Sequence, residues 1–105
     1  MSGSRWKNTE RQVAKRLGGE RVPVSGRQRG SAPDIRHDWL SVEVKDRRQV
    51  PLWIVDAMGQ AIASIRGDQV PIVVLHEAGR AHSDDLVFVR LSDWCDLMGK
   101  LHDKP

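Results

Sequence analysis

The 105-residue chain contains one cysteine, no tyrosine and one phenylalanine. The single cysteine, Cys95, excludes an internal disulfide. The polar opening MSGSRWKNTERQ lacks the apolar region of a secretory signal. No apolar run approaches the roughly 20 residues that a membrane span needs. We therefore expect a soluble, cytoplasmic protein without a membrane partner.

The length of the chain limits the number of domains, and its charge distribution indicates what it binds. Two domains would each be too small to bury a stable core without disulfides or bound metal ions, so we expect a single domain over residues 1–105. The net charge of +3 is unevenly distributed. Residues 1–48 hold twelve Lys and Arg against six Asp and Glu, whereas residues 49–105 hold five against eight. A basic half indicates a face that binds a polyanion such as nucleic acid, and a merely solubilising surface is an equal alternative on charge alone.

Hydrophobic periodicity predicts an α/β fold. Helical spacing of apolar residues predicts three helices, over residues 4–17, 51–66 and 92–100. Short apolar or alternating runs predict five strands, over residues 20–24, 34–37, 40–46, 70–76 and 86–90. The order α-β-β-β-α-β-β-α implies a mixed five-stranded sheet flanked by helices.

Charged side chains are predicted to meet at one edge of this sheet. In the run LSVEVKD, alternation turns Glu43 and Lys45 to the same face. Asp34 begins the adjoining strand of a predicted hairpin, so the three side chains can converge. The basic loop before Asp34 adds Arg27 and Arg29, which attract phosphate. The alternative to a functional site is an ordinary sheet face whose charged side chains are exposed to solvent.

Hydrolysis of a phosphodiester requires this set of groups. A hard cation such as Mg²⁺ or Mn²⁺, held by one or two carboxylates and by the phosphate of the substrate, polarises phosphorus and generates hydroxide. Asp34 and Glu43 are then the metal ligands, and Lys45 orients or deprotonates the attacking water. Glu10, an acid on the apolar stripe of the first helix, is a third ligand or holds a metal-bound water. Pairing of Glu10 with Arg21 or Lys45 is the alternative.

The motif Pro33-Asp34, an interval and then Glu43-Val44-Lys45 resembles the PD-(D/E)XK nuclease signature. Further matches, in chain order, are similar to the archaeal-type and phage Holliday junction resolvases. They are Glu10-Arg11 in a first helix, Ser25-Gly26 in a basic loop, and Ala32-Pro33-Asp34-Ile35 before VEVK. The resemblance covers about residues 8–48 and implies a restriction-endonuclease-like sheet. A phage-encoded origin is compatible with it.

The resemblance also implies roles for the matching residues. Asp34 and Glu43 match the metal-binding acids, with the backbone carbonyl of Val44 as a further ligand. Lys45 matches the catalytic lysine, and Glu10 matches the acid of the first helix. The resolvases are Mg²⁺-dependent homodimers whose two sites nick opposed strands of a four-way junction.

Residues that contact DNA form a second group. Arg11 and Ser25 match positions that contact or position the phosphate backbone in the resolvases. Ser25 is thereby a candidate catalytic residue, and a plain turn residue is an equal alternative. The remaining candidates belong to the basic half of the chain, and they are Arg27, Arg29, Arg47 and Arg48. Trp53 lies off the apolar stripe of the second helix, which favours a dimer interface over packing against arginine stems.

We therefore predict a Mg²⁺-dependent endodeoxyribonuclease that cuts branched or double-stranded DNA, with the Holliday junction as its substrate. A general nicking endonuclease and a non-catalytic DNA-binding module of the same fold are the alternatives. An RNA nuclease is disfavoured because no aromatic-rich sheet platform is visible.

A second group of metal-ligating residue types occurs near the end of the chain, namely His76, Glu77, His82, Asp84 and Asp85. The histidines are six apart in a predicted turn and lack the four-residue spacing of a helical zinc site. The sequence therefore favours a solvated hairpin here over a second metal site.

Overall fold

A computed structural model describes residues 2–23 and 33–102 of the chain. The mixed α/β composition is confirmed, because these residues form three α-helices and two small antiparallel sheets of two strands each. None of the described helices combines the length and the apolar character that crossing a bilayer requires. The chain divides into two compact units, Met1–Arg48 and Gln49–Pro105, called unit 1 and unit 2 below.

Unit 1 consists of one helix and a small sheet. Its elements are α1 (Ser2–Leu17), β1 (Glu20–Arg21) and β2 (Ile35–Arg36). The two strands pair antiparallel, with Glu20 opposite Arg36, and an isolated bridge joins Ile35 to Val42. Ile35 therefore has neighbouring chain on both sides, and it is fully buried.

The end of α1 is fixed against β2 by two glycines and a histidine. Gly18 has a φ of +77°, the left-handed conformation that ends many helices. A Cβ on Gly19 would lie 2.6 Å from the carbonyl oxygen of Arg36, so this close approach requires glycine. The ring Nε2 of His37 donates a hydrogen bond to the carbonyl oxygen of Leu17 at 2.8 Å, which satisfies one carbonyl at the helix end.

Unit 2 contains two helices and a hairpin. Its elements are α2 (Leu52–Ala63), β3 (Ile72–Leu75), a 3₁₀ turn (His82–Asp84), β4 (Leu86–Val89) and α3 (Leu91–His102). The strands pair antiparallel from Ile72 opposite Val89 to Leu75 opposite Leu86. A continuous apolar run such as that of β3 is typical of a strand covered on both faces, yet Ile72 and Val74 are exposed.

Trp53 of α2 packs edge-to-face on Phe88 of β4, with ring centroids 6.0 Å apart. Its side chain remains half exposed in the single chain. The sequence had placed Trp53 off the apolar stripe of this helix, and the exposure agrees with that position.

The described residues do not form the predicted five-stranded sheet. β1–β2 and β3–β4 are separate sheets, and the expected third strand over residues 40–46 contributes only the bridge at Val42. β1 is shorter than predicted because Pro23 has no N–H with which to continue the pairing. The backbone N–H of Val22 still donates to the carbonyl oxygen of Asp34 at 3.0 Å.

Candidate functional site

A pocket of about 330 Å³ lies in unit 1, between α1 and the chain that follows residue 33. It is lined by Trp6, Glu10, Asp34, Val44, Lys45, Asp46 and Arg47. Four of these had been predicted as site residues and one as a DNA contact. The structure therefore gathers most of the sequence-predicted constellation around one concave surface.

Asp34 is held firmly at the wall of this pocket. Its backbone N–H donates to the carbonyl oxygen of Val42 at 3.1 Å, and its own carbonyl accepts from Val22 at 3.0 Å. The carboxylate is only 9% exposed, and Oδ2 accepts the backbone N–H of Val44 at 2.6 Å. A charge-assisted bond of this length fixes the orientation of the side chain. The N–H of Val44 thus links the VEVK run to Asp34.

Burial alternates along residues 40–46, as the sequence predicts for this run. Val42 and Val44 are half-buried, whereas Glu43 and Lys45 are exposed. Lys45 lines the pocket, but Glu43 does not belong to its lining. Neither charged side chain has an ion-pair partner in the part of the chain that the structure describes.

Glu10 projects from α1 and is 5% exposed. Its Oε1 accepts a hydrogen bond from Nε of Arg21 on β1 at 2.7 Å. The guanidinium of Arg21 also stacks over Trp6, with 5.4 Å to the ring centroid. Its Nη2 is buried and has no hydrogen-bond partner among the described residues. The pairing of Glu10 with Arg21, the alternative considered from sequence, is therefore present, although Glu10 also lines the pocket.

Asp46 is a pocket acid that the sequence prediction missed. Its Oδ2 lies 2.6 Å from the Thr9 hydroxyl, which donates to it, and its Oδ1 accepts from Arg5 at 2.5 Å. The Thr9 hydrogen bond holds the pKa of Asp46 below its ordinary value of 3.8. Partial burial opposes this shift, and the charge of Arg5 adds to it. Asp46 continues the buried face that begins at Val42, and a carboxylate on an apolar face could have identified it.

The pocket offers only oxygen donors from acidic side chains, which are the ligands that Mg²⁺ and Mn²⁺ prefer. Its acids do not form a closed cage, because Glu10 is paired with Arg21 and both oxygens of Asp46 are hydrogen-bonded. Mg²⁺ commonly takes one or two carboxylates, with water and substrate phosphate as the other ligands. The residues fit that mode of binding, with Asp34 as the acid in the wall and Glu43 as an exposed acid next to Val44 in the chain.

The predicted DNA contacts fall into two groups. Arg47 lines the pocket, and the side chains of Arg11 and Arg48 are exposed on unit 1. Ser25, Arg27 and Arg29 lie outside the described residues, so their predicted roles stay predictions.

No protein-family model, curated protein or solved structure matches the chain. The case for the site therefore rests on its residues and their geometry.

Proposed function

We propose that the protein is a Mg²⁺- or Mn²⁺-dependent DNA endonuclease with a PD-(D/E)XK site that resolves four-way junctions as a homodimer. The observation that carries the proposal is the position of Asp34. Asp34 is nearly buried, and its carboxylate accepts a hydrogen bond from the N–H of Val44, the residue between Glu43 and Lys45. Asp34 and Glu10 line the same pocket. The hydrogen bond holds Asp34 next to the VEVK run, which supports the proposal that the two parts of the motif act together.

Each residue has a chemical task in this proposal. Asp34 and Glu43 would hold the cation, and the chemistry it would supply when bound is to polarise the phosphate and lower the pKa of an attacking water. Lys45, which is exposed at the pocket and has no ion-pair partner among the described residues, orients that water and offsets negative charge on the phosphate. Arg47, also at the pocket, is placed to hold the DNA backbone.

Charge supports DNA as the substrate. Unit 1 contains the twelve basic and six acidic residues of the positive half, and the candidate pocket lies in the same unit. Cationic side chains that contact phosphates release counterions, so affinity falls steeply as salt rises. We extend the proposal to a restriction-endonuclease-like sheet of five strands and to a cytoplasmic homodimer, and both rest on the sequence resemblance alone.

The test is cleavage of a labelled four-way junction beside a plain duplex of the same sequence, with Mg²⁺ and with chelator. Wild type is compared with Asp34→Asn and Glu43→Gln. Glu20→Gln is the matched control, because Glu20 is an exposed acid of unit 1 whose ion pair with Arg36 is long, at 3.5 Å. We expect symmetric, metal-dependent nicks on the junction only. In the two site variants, the rate of cleavage should fall on the order of 100-fold or more.

Three other outcomes separate the alternatives. Unpaired nicks on both substrates would indicate a general nicking endonuclease. Binding of DNA without cleavage in any metal would indicate a non-catalytic DNA-binding module. Undiminished cleavage in both Asp34→Asn and Glu43→Gln would remove the site assignment, even if the protein is a nuclease.

A further inference from the structure

Three side chains with metal-ligating atoms converge at the connection between β3 and β4 in unit 2. His76 follows β3, His82 begins the 3₁₀ turn, and Asp85 precedes β4. Nδ1 of His76 lies 2.6 Å from Oδ1 of Asp85, and Nδ1 of His82 lies 3.1 Å from Oδ2 of the same carboxylate. One donor atom from each residue lies within 4.8 Å of the other two. No second group of three His, Cys, Asp or Glu donors is this close within the described ranges.

The fold of the hairpin explains why residues so spaced meet. Leu75 pairs with Leu86, so the next residues along the connection, His76 and Asp85, leave the sheet side by side. The 3₁₀ turn, closed by the N–H of Asp85 on the carbonyl of His82 at 3.0 Å, brings His82 over the same carboxylate. The two imidazoles stack with centroids 4.2 Å apart and planes 28° apart. Both rings therefore turn the same edge, with Nδ1, towards Asp85.

We propose that His76, His82 and Asp85 bind a divalent transition cation, for which Zn²⁺ is the best match. Two imidazoles and a carboxylate are a common protein ligand set for Zn²⁺, with the fourth position left to water or another ligand. Bonds of about 2.0–2.2 Å put tetrahedral donors about 3.3–3.6 Å apart. The present separations of 2.6 and 3.1 Å need only a small opening to admit the ion in place of the shared protons.

The ligand types distinguish this site from the pocket of unit 1. Imidazole nitrogen suits Zn²⁺, Co²⁺ and Ni²⁺, whereas Mg²⁺ prefers an all-oxygen set. Asp85 is 13% exposed and anchors the cluster, whereas the side chain of His82 is 84% exposed. An ion can therefore enter from solvent, and His82 can be replaced without disturbing a packed core.

The test is calorimetric titration of the untagged, full-length, chelator-treated protein with Zn²⁺ in excess Mg²⁺, so that oxygen-only sites are occupied by Mg²⁺. Co²⁺ is titrated in parallel, because its visible absorption reports tetrahedral coordination. The variants are His82→Gln and Asp85→Asn. Asp84→Asn is the matched control, since it removes the same charge one residue away and lies outside the cluster.

We expect one Zn²⁺ per chain at this site, with affinity reduced on the order of 10- to 100-fold in His82→Gln and Asp85→Asn and unchanged in Asp84→Asn. Absence of Zn²⁺ uptake by the wild type, or equal affinity in His82→Gln, would overturn the proposal. Repeating the titration with Asp34→Asn keeps this site separate from the nuclease proposal. Zn²⁺ affinity that fell in Asp34→Asn as much as in Asp85→Asn would assign the ion to unit 1 and also overturn it.

Discussion

Replacement of Glu10 by alanine tests how strongly unit 1 depends on the pair that Glu10 forms with Arg21. The side chains are 6% and 13% exposed, and the joining distance is 2.7 Å. Removing one partner of a largely buried ion pair costs about 3–5 kcal/mol, because the remaining charge stays buried. The stacking of Arg21 on Trp6 remains in this variant and still stabilises the guanidinium by about 0.5–1 kcal/mol. We therefore expect Glu10→Ala to lower the free energy of unfolding of unit 1 by about 3 kcal/mol.

Urea unfolding followed by tryptophan emission measures this change. Trp53 and Trp94, the tryptophans of unit 2, are replaced by Phe so that emission reports unit 1. The double variant Glu10→Leu/Arg21→Met serves as the control, since an apolar pair of similar volume leaves no buried charge behind. The double variant should lose less stability than the two single alanine variants combined. A loss below about 0.5 kcal/mol in Glu10→Ala would refute the reasoning.

The same residue then separates a structural acid from a catalytic one. Glu10→Gln keeps an oxygen that can accept from Arg21 but removes the charge that a cation needs. Junction cleavage is measured at a temperature where circular dichroism shows the variant folded. Lost cleavage in a folded variant assigns Glu10 to the metal site, and retained cleavage leaves it as the partner of Arg21.

Two further predictions concern the stability of unit 1. Because the pKa of Asp46 is lowered below 3.8 in the folded state, its carboxylate stabilises the protein above pH 3.8, and this contribution is lost as pH falls through the folded pKa. The urea midpoint should therefore fall less on acidification in Asp46→Asn than in wild type, and parallel curves would contradict this account. Gly19→Ala should cost about 1–3 kcal/mol, because its Cβ would meet the carbonyl of Arg36 at 2.6 Å. An unchanged midpoint in Gly19→Ala would show that α1 and β2 do not approach so closely.

Local patterns account for most of the secondary structure. Amphipathic periodicity placed all three helices, and α1 ends at Leu17 as predicted because Gly18 adopts a positive φ. β3 and β4 were likewise found from short apolar runs. The extent of strand pairing was not predictable in the same way, since it depends on a partner elsewhere in the chain. Residues 40–46 keep the alternating burial of a strand, yet Val42 alone makes a bridge.

The candidate site was predictable only where chain neighbours determine it. The approach of Asp34 to the VEVK run follows from a hairpin, which spacing predicts. The partners of Asp46 are Arg5 and Thr9, which lie about 40 positions away and reach it only through packing of α1. The convergence of His76 with later residues depended on the geometry of a 3₁₀ turn, and a search for helical spacing could not find it.

The partners of the pocket acids help to explain how a polyanion could bind in unit 1 close to several carboxylates. Glu10 and Asp46 are each paired with an arginine, and Asp34 accepts a hydrogen bond from a backbone N–H. A phosphate that enters the pocket meets Lys45 and Arg47. In the proposed mechanism, the phosphate would supply oxygen ligands to the cation in addition to those of Asp34 and Glu43. We therefore expect metal and DNA binding to be coupled, so that each would strengthen the other.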